Sequence, residues 1–588
     1  MNWQVSELKE ARSLVENNGR PDERATTGGE TDPESQDVNQ LQDEAREAFE
    51  PRYRIVSERA ELLYTRIETP EKGKIGPSDP EKEISATIVV RSRASDEEFN
   101  QTLAKIARHE IKALSDSEYN AKFAADPQAM ARVLKFAADN GLSAAELDSN
   151  SGRVLLKGKV KNFKEAFKVK LDDYKGPLGV TRERSGLISV PKNLANDIEG
   201  VFGLESKSLA HSNVVRRDPE GGLFRPRISG AYMPSDVADA YQFPHESKEA
   251  GQGVAILEFG GGIDLKDNAA YYAAHGLKVP EINIVGINGA KPKLGGAADD
   301  EVALDSQILG VVAPDAKQML IFAANSEQGF VDAVTRASFT KEGETPNSAI
   351  SISWGAPESA WTRQAIENLN LAFKKAALKG ISVFAATGDT GAKNSTSRFT
   401  ADYPASDPFV TGTGGSELSI SQSGDKEIAW NNGGGGISEI NKIPDFQAEL
   451  KLPENANKND IRGRGVPDIA GNANPAHGYR IRVRGQEAIM GGTSSVAPLY
   501  AGLVLRLNSA LGERVGYLNP YLYKNGNSGI FRDITSGNNE GYDAGPGWDA
   551  VTGWGSINGS KLLESLKSEL KKQEPCPRSL EKHGDILK

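Results

Sequence analysis

The apolar positions of this chain change rhythm twice, and the changes divide it. Residues 1–83 are rich in Glu, Asp, Arg, Gly and Pro with little periodic hydrophobicity, which predicts a flexible polar extension. Over 84–91 the residues alternate into an apolar run, as a half-buried strand does. Helical spacing follows over 96–114 and 127–140. A strand at 153–157, a helix around 162–167 and a strand at 168–171 then complete a small α+β sandwich spanning 84–210. Residues 211–230, with their arginines, prolines and glycines, have no hydrophobic period. They predict an exposed connector, either an ordinary linker or a segment open to proteolysis.

Beyond residue 231 the pattern becomes that of a large α/β domain, extending to 568. Buried-type strands are expected at 253–259, 318–323, 348–353 and 381–386. Helical stretches separate them, which implies parallel strands with crossover helices. Catalytic groups gather at strand ends in such sheets. Residues 569–588 are polar and are expected to form a loose tail.

Composition narrows the function classes. At 588 residues the chain holds more than one core, and 38% hydrophobic with 26% charged residues suits folded and flexible parts together. A net charge of −11 argues against a nucleic-acid partner. The single cysteine, Cys576, excludes an internal disulfide and a cysteine-built zinc site. The first residues, MNWQVSELKEARSLVE, lack the apolar core of a secretory signal peptide, and no segment is long enough to span a bilayer. No membrane role is expected.

The stretch 489–498, Ile-Met-Gly-Gly-Thr-Ser-Ser-Val-Ala-Pro, reads as a strand end, a glycine turn and a serine at the mouth of a helix. Ser494 there could act as a nucleophile, since free N–H groups and the helix dipole favour developing negative charge; on this segment alone, capping of the helix is the commoner role for such a serine. The large domain offers only His245, His275 and His477 as bases, none at a strand end. Carboxylates are better placed. Glu301 and Asp305 share one helix face at i and i+4. Buried together they would share a proton; exposed, they would be a solvated acidic face. Glu258 ends the first strand of the domain beside three glycines, and Asp389 follows a strand in Thr-Gly-Asp-Thr-Gly. A protonated Asp389 could donate to an oxyanion, or it could be a turn aspartate. Asp533 and Asp549 bracket a glycine-rich loop that is either a calcium site or simple surface.

In this order, the Glu-x-x-x-Asp helix, the Gly-Thr-Ser-x-x-x-Pro element and the Asp-Ile…Gly-Pro-Gly-Trp-Asp loop resemble the sedolisin family of serine-carboxyl peptidases. The resemblance covers the large domain from 241–244 to 552–555 and reaches back into the α+β module, which looks like the family's propeptide. It implies a subtilisin-like, doubly wound parallel sheet preceded by a ferredoxin-like propeptide domain. Ser494 would be the nucleophile, Glu301 the general base, Asp305 its partner and Asp389 the oxyanion donor. Glu258 and Trp354 would extend the hydrogen-bonded chain, and Asp402 would lie near the substrate cleft. One Ca2+ would be held by Asp533 and Asp549 and by the carbonyls of Ile534, Gly545 and Gly547.

These assignments imply an acid-active endopeptidase acting on polypeptides, inhibited by its own propeptide and monomeric. It would be exported to the extracellular space and would mature by self-cleavage to a start near 227–229. Two rivals stand beside it: a catalytically silent peptide-binding protein, and a subtilisin-like hydrolase with a histidine base.

Overall fold

Short apolar runs become the centre of the molecule. In the computed structural model, which describes residues 52–65, 73–176, 179–217, 231–245 and 249–573, an eight-stranded sheet organises the large domain. Its order begins Ile282–Gly286, Lys317–Phe322, Gly253–Glu258, Asn347–Ile352, Ser382–Ala386, Thr411–Ser419. Ile469–Asn472 joins Thr411–Ser419 in parallel and Lys426–Ala429 joins it antiparallel. The four expected strands are all present and parallel. Each of their residues is buried, apart from Lys317, because helices cover both faces. The chain leaves Gly253–Glu258 toward one side of the sheet and returns to build the other, so a switch point opens at the ends of Gly253–Glu258 and Asn347–Ile352.

Two helices fill the face beneath that opening. Asp299–Val312 is buried at all fourteen positions, acidic residues included. Val496–Leu511 carries an apolar surface nearly all round and ends on Gly512 in the left-handed conformation. Both belong to one apolar cluster with Ile256, Leu320 and Phe384. Among the described residues, no helix is long and apolar enough to cross a membrane.

The smaller domain is an antiparallel sheet ordered Ile198–Phe202, Glu83–Val90, Arg153–Lys159, Ser143–Asp148. Helices Pro127–Asp139 and Val160–Phe167 cover one face, the ferredoxin-like arrangement. The other face packs on helices Glu327–Ser338 and Arg363–Leu378 of the large domain. Val89 and Phe202 join the apolar cluster of Phe330, Val334 and Leu369. Gln364 exchanges two hydrogen bonds with the Val201 backbone, both 2.9 Å, and Arg153 pairs with Asp332 at 2.7 Å.

Several expectations need correction. The polar extension does not run to residue 83. Tyr53–Val56 and Arg59–Leu62 form a hairpin against Ile188–Pro191, and Lys74–Pro77 pairs with Lys170–Gly176. Tyr53–Val56 and Lys74–Pro77 are short, mostly exposed edge strands, and the alternation of Arg59–Leu62 spans only four residues. The helix expected over 96–114 stops at Ala107, and a separate capped helix, Asp116–Phe123, follows. The expected strand at 168–171 begins only at Lys170, since Lys168 is the left-handed C-cap of the preceding helix. The last helix, Gly559–Gln573, runs past the expected start of the tail at 569.

Candidate active site

Five elements deliver side chains to the switch point. Glu258 closes its strand, Ser353 and Trp354 follow Asn347–Ile352, and Asp389 follows Ser382–Ala386. Glu301 and Asp305 come from the buried helix, and Ser494 lies in a 3-10 turn, Thr493–Ser495, that leads into Val496–Leu511. The Ser494 hydroxyl donates to Glu301 Oε2 at 2.9 Å. Ser353 Oγ donates to Asp305 Oδ1 at 2.9 Å, and Trp354 Nε1 donates to Glu258 Oε2 at 3.0 Å. Ser494, Glu301, Asp305 and Glu258 are each fully buried. The solvated acidic face is therefore excluded for Glu301 and Asp305.

One oxygen of each carboxyl is left over. Glu301 Oε1, Asp305 Oδ2 and Glu258 Oε1 are buried without a donor from the rest of the protein. Three carboxylates cannot all stay ionised there, so protons must be shared among them. Burial is the main cause that pushes the Glu301 carboxyl well above the usual range, followed by the charges of Asp305 and Glu258. Burial and then Asp305 raise Glu258 in the same way, and burial raises Asp305 against the hydrogen bond from Ser353.

Asp389 stands on the other side of Ser494. Its Oδ1 accepts from Thr493 N at 2.7 Å and from Thr493 Oγ1 at 2.9 Å. Its Oδ2 is shielded from solvent and has no partner. Burial lifts this carboxyl to about 7, in spite of the two bonds from Thr493. Gly492, at φ +98°, lies beside it, and a Cβ there would collide with both Asp389 Oδ2 and the carbonyl of Asn213.

That carbonyl corrects the expectation of an exposed connector. Residues 211–217 run through the cleft as an added strand. His211 and Ser212 pair antiparallel with Gly355 and Trp354, and Asn213 N donates to Ser353 O at 3.1 Å. The Ser494 N–H donates to Asn213 O at 3.2 Å. Val215 and Arg216 then pair with Gly491 and Met490. Asn213 is 1% exposed although it is polar, because backbone pairing rather than side-chain character holds it. Residues 218–230, and with them the expected start at 227–229, lie outside the described residues.

Asp402 is 1% exposed, and neither of its oxygens has a partner; burial, then the charges of Asp389 and Glu358, raise its carboxyl. Its Oδ2 and the Asn213 side-chain amide nitrogen lie 3.3 and 3.7 Å from where a Cβ of Gly355 would be, so the two side chains are neighbours beside Gly355. Sequence reasoning gave no role to Asn213, Ser353 or Thr493. The last two stand beside motif residues, and that adjacency was the signal available.

At the glycine-rich loop, Asp533 Oδ2 accepts from Gly547 N at 2.9 Å and Asp549 Oδ2 from Gly545 N at 3.0 Å. The Thr552 hydroxyl bridges Asp549 Oδ2, at 3.1 Å, and the carbonyl of Ile534, at 3.4 Å. The carboxylates and carbonyls of this loop are oxygen donors, the type a hard cation takes. Among the described residues no group of three or more His, Cys, Asp or Glu side chains could hold a metal ion, and this loop has two carboxylates.

The comparisons with known proteins agree with this geometry. Residues 70–207 match the family described as Pro-kumamolisin, activation domain. Over 545 residues the chain is 38% identical to kumamolisin of Bacillus sp. (strain MN-32), covering 88% of this chain and 98% of that protein. The chain belongs to the sedolisin family of serine-carboxyl peptidases. This sedolisin-family peptidase is 26% identical over 510 residues to sedolisin of Pseudomonas sp. (strain 101), covering 79% of this chain and 84% of that one. A solved structure of Pseudomonas sedolisin, complexed with two molecules of pseudo-iodotyrostatin, matches with a TM-score of 0.52 and 27% identity over 57% of this chain and 98% of that one. The protein is thus a serine-type peptidase built as a zymogen, its activation domain preceding a subtilisin-like catalytic domain. The matched activation domain starts at residue 70, ahead of the expected 84.

Proposed function

We propose that Ser494 is the nucleophile of an acid-active endopeptidase, Glu301 its general base and then acid, and Asp389 the oxyanion donor. One observation carries this reading: Ser494 gives its hydroxyl to Glu301 and its N–H to the carbonyl of Asn213, beside the free oxygen of Asp389. Ser494 Oγ attacks a carbonyl carbon held in that position, and its proton passes to Glu301 Oε2. The N–H of Ser494 and a protonated Asp389 Oδ2 stabilise the oxyanion. As the intermediate collapses, Glu301 protonates the leaving amine, and water repeats the sequence on the acyl-enzyme. Asp305, held by Ser353, keeps the shared proton beside Glu301, while Glu258, anchored by Trp354, extends the chain of carboxyls.

The peptide bond between Asn213 and Val214 is then the first bond cut during activation. Near neutral pH an ionised Asp389 opposes negative charge on the Asn213 oxygen, and acid supplies the missing proton. Asp402, buried beside the Asn213 side chain, favours a basic side chain at the corresponding substrate position. One calcium ion held by Asp533 and Asp549 and by the carbonyls of Ile534, Gly545 and Gly547 would neutralise the two carboxylates and lock the loop. The mature enzyme acts as a monomer outside the cell.

The test compares self-processing and casein cleavage from pH 3 to 8 for wild type, Ser494→Ala and Glu301→Gln. Wild type should mature and cleave only in acid, with both variants full-length and inert. A folded wild type inert at every pH would favour the peptide-binding protein. Activity retained by Glu301→Gln and lost with a histidine variant would favour the subtilisin-like hydrolase.

A further inference from the structure

The chain beyond Asn213 is held as firmly as the chain before it. Val215 and Arg216 pair with Gly491 and Met490, and Arg217 N donates to Ile489 O at 2.9 Å. This ladder decides which side chain meets which wall of the cleft. Arg216 meets Asp300, with its Nη1 3.4 Å from Oδ2.

Asp299 and Asp300 adjoin in sequence but serve different ends. Asp299 is used up by loops, its Oδ1 accepting from Gly262 N at 3.0 Å and its Oδ2 from Gly295 N at 2.7 Å. Asp300 is held from behind, where Arg484 Nη2 meets its Oδ1 at 2.5 Å, and its Oδ2 is turned toward the cleft. Arg484 is the only guanidinium of the peptidase domain that pairs with either carboxylate among the described residues. Two carboxylates against one guanidinium leave the rim a positive charge short, and Arg216 supplies it.

We propose that Asp300 determines specificity on the leaving-group side, forming a subsite for Arg or Lys at the third residue after the cleaved bond. The proposal rests on the reading that Asn213–Val214 occupies the place of the cleaved bond, which makes Arg216 that third residue. Asp300 has a side chain only 10% exposed, so its pair with a guest is better shielded than a surface pair, while sharing with Arg484 limits its strength. The preference should be modest, about threefold to tenfold in kcat/KM.

The experiment uses quenched-fluorescence peptides of residues 209–217, Leu-Ala-His-Ser-Asn-Val-Val-Arg-Arg, with the mature enzyme and its Asp300→Asn variant. Residue 216 is kept or changed to Lys, Ala or Glu, and a control peptide carries Arg217→Ala. Products are weighed by mass spectrometry. The expected result is cleavage between Asn213 and Val214, equal rates for Arg and Lys within about twofold, and slower cleavage of the Ala peptide by about threefold to tenfold, with Glu slower still. Arg217→Ala should change little, because that side chain reaches only the carbonyl of Ala476. In Asp300→Asn the Arg-to-Ala ratio should fall close to one, and a ratio taken within each enzyme cancels any general loss of activity. An Ala peptide cut by wild type as fast as the Arg peptide overturns the subsite, as does a ratio that survives Asp300→Asn. Cleavage at a different bond overturns the register beneath it and so is told apart from failure of Asp300 alone.

Discussion

Thr493 gives both its N–H and its hydroxyl to a single oxygen of Asp389, at 2.7 and 2.9 Å, which leaves the other oxygen buried without a partner, beside Gly492 and near the carbonyl of Asn213. The arrangement fixes which oxygen can carry the proton. Asp389→Ala should lose about 10²–10³ in kcat, as other oxyanion donors do. Asp389→Asn can keep both bonds from Thr493 and donate an N–H that does not titrate. Its loss should be smaller, and its activity should persist to higher pH than that of wild type, where Asp389 loses its proton near 7. Measured pH profiles of kcat decide the matter: an unshifted alkaline limb in Asp389→Asn would assign that limb to the coupled carboxyls of Glu301 and Asp305.

Arg153 of the activation domain and Asp332 of the peptidase domain make an ion pair whose aspartate is fully buried. Asp332 Oδ2 also accepts from Thr87 Oγ1 at 2.8 Å. Removing the guanidinium strands a buried charge, which typically costs about 3–5 kcal/mol. Arg153→Met should therefore loosen the domain interface and speed maturation at a mildly acidic pH at which wild type matures slowly. Maturation at an unchanged rate, followed by gel over time, would mean that the apolar contacts of Val89 and Phe202 dominate docking.

What could be read from the sequence depended on whether burial leaves a trace in side-chain type. The strand Gly253–Glu258 and the helix of Glu301 and Asp305 did leave one, because apolar residues carry both. The strand Thr411–Ser419 did not. Its Gly414 and Gly415 are needed where Pro467 and Trp430 approach within contact distance, so a central strand reads as a glycine loop. Residues 211–217 were equally opaque: a segment held by backbone pairing needs no hydrophobic pattern. Proximity between Asp402 and Asn213, or between Asp300 and Arg216, depends on the tertiary path alone.

Calcium should act on stability before it acts on chemistry, since Asp549 is tied to Val551 N and, through the Thr552 hydroxyl, to the carbonyl of Ile534, and has no hydrogen bond to Ser494. Burial already raises the carboxyl of Asp549, a cost that a bound cation would offset. Chelation should lower the Tm of the Ser494→Ala zymogen by several degrees, with recovery on adding Ca2+. Asp549→Ala should abolish the difference between chelated and calcium-loaded samples. A wild-type Tm indifferent to chelator would remove calcium from this loop.

Buried carboxyls, those of the active site among them, set how stability varies with pH. Glu358 is 3% exposed, accepts from Ser438 Oγ at 2.5 Å and Glu439 N at 2.9 Å, and is still raised by burial to about 7. Asp389 is raised to about 7, and Asp402, Glu301, Asp305 and Glu258 are raised as well. Between the ordinary carboxyl range near pH 4 and pH 7, the folded protein thus binds more protons than the unfolded chain. Stability must then fall as pH rises through that window. Glu358 alone accounts for a loss on the order of 3 kcal/mol, since each tenfold gain in proton affinity on folding is worth about 1.4 kcal/mol. The Ser494→Ala zymogen, which cannot digest itself, should melt several degrees higher at pH 4 than at pH 8. Glu358→Gln should flatten that slope, because a neutral amide has no proton to lose. A Tm that rises from pH 4 to pH 8 would show that these groups are solvated rather than buried, and would remove the physical basis for an acid-dependent site.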